Sequence, residues 1–114
     1  MARVLVVHDD TSVAEELKAA LSEEGYAVAL AQDGPLALEM LSHNEYDVLL
    51  LELILPRMHG FQVLEHLQGD AQLCHLPVIV MSPHERRREL TQGLEMGATD
   101  YLTYPIEPAF LRPA

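Results

Sequence analysis

Apolar and polar positions alternate along this chain in two rhythms. The first apolar run, Val4–Val7, is unbroken, the pattern of a strand buried on both faces. In TSVAEELKAALSEEG (residues 11–25) the rhythm changes. Val13, Leu17, Ala20 and Leu21 fall on one face at helical spacing, and Gly25 stands where such a helix stops. YAVALA (26–31) predicts a second strand. In DGPLALEMLSHN (33–44), Asp33 reads as an N-cap with Pro35 in the first turn, and Leu36, Met40 and Leu41 are expected to face inward. The stretch YDVLLLELILPRMHG (46–60) carries a third strand that ends in a lone carboxylate, Glu52. A helix over about 60–68 follows, with Phe61, Leu64 and Leu67 at helical spacing. PVIVMS (77–82) is a fourth strand, HERRRELTQGLEMG (84–97) a more polar helix closed by Gly97, and DYLTYP (100–105) holds a short fifth strand.

Strand and helix thus alternate without a long loop or linker. This implies one α/β domain spanning 1–114, with a parallel sheet and helices on both faces. Sites in such sheets form at the carboxyl ends of the strands. The residues there are His8, Asp9 and Asp10; Glu52, Ile54 and His59; Ser82 and His84; Tyr104 and Pro105.

Composition narrows the function. The chain has 114 residues, 49% of them hydrophobic and none of them Trp, so the core must be aliphatic. Eighteen acidic residues against seven basic ones give a formal charge of -11, which argues against nucleic acid or an anionic membrane as a partner. The single cysteine, Cys74, cannot form an internal disulfide and reads as a reduced thiol. No apolar run reaches the ~18 residues of a membrane span, and the N-terminus lacks a secretory pattern; the expected location is the cytoplasm. A flavodoxin-type or hydrolase enzyme finds little support. No Gly-rich phosphate loop follows the first strand, where HDDTS is acidic, and there is no nucleophile elbow.

The segment LLELILPRMHGFQVLEHL (50–67), with VIVMS, GLEMGATDYL and the proline after strand five, resembles the receiver domain of bacterial two-component response regulators. The resemblance covers residues 1 to about 107. It implies a flavodoxin-like, doubly wound, five-stranded parallel sheet of order 2-1-3-4-5. It also implies a fifth helix, for which IEPAFLRPA (106–114) is short and proline-broken, so that helix is expected to be truncated or missing. Either the chain is the N-terminal module of a longer protein, or an apolar strip beside the first helix is left for a partner or a second copy. The Tyr104–Pro105 bond is expected to be cis by the same resemblance.

The family's chemistry uses two adjacent acids, an Asp phosphoacceptor, a Ser/Thr and a Lys, with Mg²⁺ among the carboxylates. At the matching positions this chain has His8 and Asp9 (with Asp10 next), Glu52, Ser82 and Tyr104. A Mg²⁺ site at Asp9, Glu52 and Ile54 is therefore expected to be weak or absent. Glu52 reaches further from the backbone than Asp, and misplacement on an ångström scale can cost about a hundredfold in rate. Tyr104 supplies no cation. His8 in place of an acid relieves the repulsion that the missing Lys would leave, so the three changes compensate one another. The resulting expectation is an atypical, largely phosphorylation-independent receiver. It is a protein-interaction module and not an enzyme, with no firm cofactor and a possible homo-oligomer among its states. Tyr101 matches the family's switch aromatic, and Arg86, Arg87 and Arg88 form a basic cluster for docking, although such a run is ordinarily a solvated helix face. Two alternatives stay open. One is a weakly phosphorylated Glu52. The other is a pH- or transition-metal-responsive switch built from His8, His59 and His84 with Asp9 and Glu52.

Overall fold

The computed structural model describes residues 2–83 and 87–104, without the side chains of Pro83, Arg87 and Tyr104. The elements run β1 (Arg3–Val7), α1 (Thr11–Glu23), β2 (Ala27–Ala31), α2 (Gly34–His43), β3 (Val48–Glu52), α3 (Gly60–Gln68), β4 (Val78–Pro83), α4 (Arg87–Glu95) and β5 (Asp100–Tyr104). The strands form one sheet in the order β2-β1-β3-β4-β5, every neighbouring pair parallel. This is the doubly wound, flavodoxin-like arrangement, with the strand order reversing between β1 and β3. The expected fifth helix, the Tyr104–Pro105 bond, His84 and Arg86 lie outside the described residues.

The central strands β1, β3 and β4 are largely apolar because both faces are covered, whereas the edge strand β5 (DYLTY) is mixed. Leu5, Val7, Leu49, Leu51 and Leu53 point to one side, against Ala37 and Leu41 of α2 and Val63, Leu64 and Leu67 of α3. Val4, Val6, Leu50 and Met81 point to the other, against Leu17 and Leu21 of α1. Helix boundaries follow local chemistry. The Asp10 side chain accepts from the backbone N–H groups of Ser12 and Val13 and so starts α1. The helix ends in a Schellman motif, with Tyr26 N–H donating to Leu21 C=O and Gly25 N–H to Ser22 C=O. Gly25 sits at φ 95°, a conformation that glycine adopts without a Cβ penalty. Asp33 caps α2 through Leu36 N–H at 2.8 Å.

One inward assignment is corrected. Leu36 is 38% exposed, and the inward positions of α2 belong to Gly34, Ala37 and Leu41. Small residues take them because α2 lies close to its neighbour: a Cβ on Gly34 would stand 2.9 Å from that of Met58. Leu36 is two positions on from Gly34, about 200° around the helix.

Candidate functional site

The register of the sheet builds the site. Val6 pairs with Leu50 and Val7 with Leu51, so the next step sets His8 beside Glu52 at the carboxyl ends of the two central strands. Both side chains continue the Val4/Val6/Leu50 face toward α1. They are deeply buried, His8 at 4% and Glu52 at 1% exposure.

The Glu52 carboxylate is turned inward, with one oxygen hydrogen-bonded and the other facing an imidazole. Oε1 accepts the backbone N–H of Ile54 at 3.0 Å, and Oε2 lies 3.2 Å from His8 Nε2. The expectation that the longer side chain would carry its charge outward is therefore corrected: the extra methylene lets the carboxylate fold back onto its own i+2 amide. His8 is fixed from its other nitrogen, where Nδ1 accepts the backbone N–H of Asp10 at 3.0 Å. An accepting Nδ1 leaves the ring proton on Nε2, facing Glu52.

Asp9 and Asp10 follow His8 directly, and the other expected residues are spread over β4, β5, α4 and the start of α3. Asp9 is exposed (side chain 46%), with Oδ1 3.6 Å from His8 Nδ1. Asp10 spends its carboxylate on the start of α1. Ser82 is fully buried, and its Oγ has no hydrogen-bond partner among the described residues. Tyr104 closes β5 opposite Pro83, at the family's Lys position. His59 is exposed at the start of α3, its backbone N–H donating to Gln62 Oε1. Tyr101 on β5 is 47% exposed and Arg88 is exposed on α4. Among the described residues, no three His, Cys, Asp or Glu side chains are grouped to hold a metal ion.

The donor set does not fit Mg²⁺, which demands near-octahedral oxygen ligation. Glu52 is bound to Ile54 N–H and faces an imidazole, His8 turns a protonated nitrogen into the pocket, and Asp10 caps a helix. Of the carboxylates proposed for that ion, only Asp9 faces solvent.

Two features of the rim had no clear sequence signal. Arg57 takes φ 66° in the β3–α3 loop and places Nη1 3.8 Å from Asp33 Oδ2. Gly60 lets the start of α3 press onto the end of β3: its N–H donates to Leu53 C=O at 2.9 Å, and a Cβ there would stand 2.6 Å from Glu52 O. The glycine was visible in the sequence as a helix start, but the close approach was not. Away from the pocket, a groove of about 910 Å³ runs over the α1 side of the sheet, lined by Leu21, Leu50, Ile79, Leu90, Leu94 and Tyr101 among others.

Comparison with known proteins agrees with this fold. Residues 4–114 match the model of the response regulator receiver domain family. The response regulator PleD of Caulobacter vibrioides is 41% identical over 110 residues, covering 96% of this chain and 24% of PleD. The response regulator MprA of Mycobacterium tuberculosis is 41% identical over 104 residues, covering 91% of this chain and 44% of MprA. The chain thus spans less than half the length of either relative. Among solved structures, a response regulator of Chloroflexus aurantiacus superposes with a TM-score of 0.93 at 32% identity, over 96% of this chain and 90% of that one. The chemotaxis response regulator CheY4 of Vibrio cholerae gives 0.89 at 29% identity, over 97% and 92%.

Proposed function

Because the chain belongs to the response regulator receiver domains of bacterial two-component signalling, we propose that it works there as an atypical receiver whose output does not depend on phosphorylation. One observation carries this reading. The side chain at the phosphoacceptor position is 1% exposed, with one oxygen on Ile54 N–H and the other facing His8. A nucleophile must present a free oxygen lone pair in line with an incoming phosphoryl group, within roughly 3–3.5 Å of it. At 1% exposure, Glu52 presents neither oxygen to an incoming phosphoryl donor in this arrangement. The loss of the ammonium at position 104 removes the charge that would neutralise an acyl phosphate.

On this reading the domain is a binding module of the cytoplasm and not an enzyme. Among the described residues, no helix is long and apolar enough to cross a membrane. Its partner is a protein, either a signalling protein or an output domain, and the docking surface we favour is the α4–β5 face. There Tyr101 and Leu94 are exposed beside the groove, and Arg88 adds a cation in an acidic domain. A second copy of the chain could use the same face. With a formal charge of -11, the domain itself is not expected to bind nucleic acid.

The test is incubation with acetyl phosphate and Mg²⁺, read by intact mass and by small-angle scattering. The expected outcome is an unchanged mass and the same association state before and after. A stoichiometric phosphoryl adduct on Glu52 would replace this reading with that of a working, if slow, receiver.

A further inference from the structure

We propose that His8 is the resident counter-group of this pocket. Its Nε2–H, acting as a donor, takes the place of the cation that a carboxylate cluster would otherwise recruit, and the ring ties the start of α1 to the end of β3. The proposal deepens the reading of Glu52 as a closed position, but the two can fail separately.

A carboxylate as buried as Glu52 is strongly unfavourable without polar partners. Ile54 N–H satisfies Oε1, and His8 Nε2 faces Oε2 at 3.2 Å. The ring cannot turn a lone pair toward a metal, because Nδ1 is held by Asp10 N–H at 3.0 Å. That same Asp10 caps α1 through Ser12 and Val13. One imidazole therefore joins the last residue of β3 to the first turn of α1, through Glu52 on one side and Asp10 on the other. In an acid-rich receiver pocket this bridge would need a divalent ion. Here it is covalently part of the chain, and the only proposed carboxylate ligand left facing solvent is Asp9. His8 acts through Glu52 and Asp10, so it is a positioning residue.

The proposal makes the pocket indifferent to Mg²⁺ and the two side chains energetically coupled. Thermal melts of the unmodified protein should coincide in millimolar MgCl₂ and in NaCl of equal ionic strength; a Mg²⁺-specific rise in the midpoint would overturn the proposal. Imidazole ¹⁵N spectra should report His8 as the Nε2–H tautomer, and an Nδ1–H tautomer would overturn it as well. Neither measurement requires a variant to fold. The coupling is read from His8→Asn, Glu52→Gln and the double substitution. Glu52→Gln sets an amide donor against the Nε2–H donor, or else gives up the Ile54 bond. Each single change should lower the midpoint, and the double should fall no further than the worse single. Additive losses would mean that the two residues do not act as a unit. Phosphorylation of Glu52 would end the functional reading above, whereas this proposal is judged by the tautomer, the Mg²⁺ response and the coupling.

Discussion

At the scale of single residues, the site depends on one glycine as much as on its charged groups. The start of α3 approaches the end of β3 so closely that a methyl group on Gly60 would lie 2.6 Å from both Glu52 O and Leu53 Cα. These are backbone atoms of a central strand and cannot swing aside. Alanine favours a helix over glycine by about 1 kcal/mol, but overpacking against rigid backbone costs about 1–3 kcal/mol, and the unyielding neighbours place this site at the upper end. Gly60→Ala is therefore expected to destabilise the domain by about 2 kcal/mol in urea unfolding. A neutral or stabilising result would mean that α3 can slide, and that Glu52 is not held by the packing beneath it. Residue type alone shows neither this nor the inward turn of Glu52. The sequence places a carboxylate at the end of β3, but its direction depends on the Ile54 amide and on the β1–β3 register that delivers His8.

Elements were more legible than side chains, for a physical reason. A strand buried on both faces must be an unbroken apolar run, so Val4–Val7 and the run into Glu52 announce themselves. Helix phase is harder to read where small residues face inward, and so Leu36 was expected inside while Gly34 and Ala37 hold those positions. The starts of helices are written in their caps, and α2 offers a clean test. Asp33 Oδ1 accepts Leu36 N–H at 2.8 Å, while Oδ2 lies 3.8 Å from the largely exposed Arg57 guanidinium. An exposed ion pair at that separation contributes at most about 1 kcal/mol, and an N-cap typically about 1 kcal/mol. If the cap dominates, Asp33→Ala should cost about 1 kcal/mol, and Asp33→Asn, which keeps the accepting oxygen and loses the charge, only a few tenths. Equal losses from Asn and Ala, measured by chemical denaturation, would assign the stabilisation to Arg57 instead.

For the molecule as a whole, the dominant electrostatic fact is excess. Eighteen acids and seven bases share one domain with Cα extents of 33 × 32 × 26 Å. At about 0.01 M salt the Debye length is ~30 Å, so every carboxylate acts on charges across the full width of the fold; near 1 M it is ~3 Å and only contacts remain. Self-repulsion of this kind destabilises the compact state relative to the expanded chain. The attractive pairs that salt would weaken are few among the described residues: the buried His8–Glu52 contact is shielded from solvent ions, and His8–Asp9 at 3.6 Å and Arg57–Asp33 at 3.8 Å are both long, each with one exposed partner. Screening should thus remove more repulsion than attraction. The melting midpoint is expected to rise as NaCl is added from low ionic strength at pH 7. It should do so equally with KCl, because relief of repulsion depends on ionic strength and not on ion identity. A midpoint that falls with salt would mean that a network of exposed ion pairs outweighs the net charge. The acidic surface would then be organised for stability, and its negative charge would be too well compensated to keep nucleic acid away.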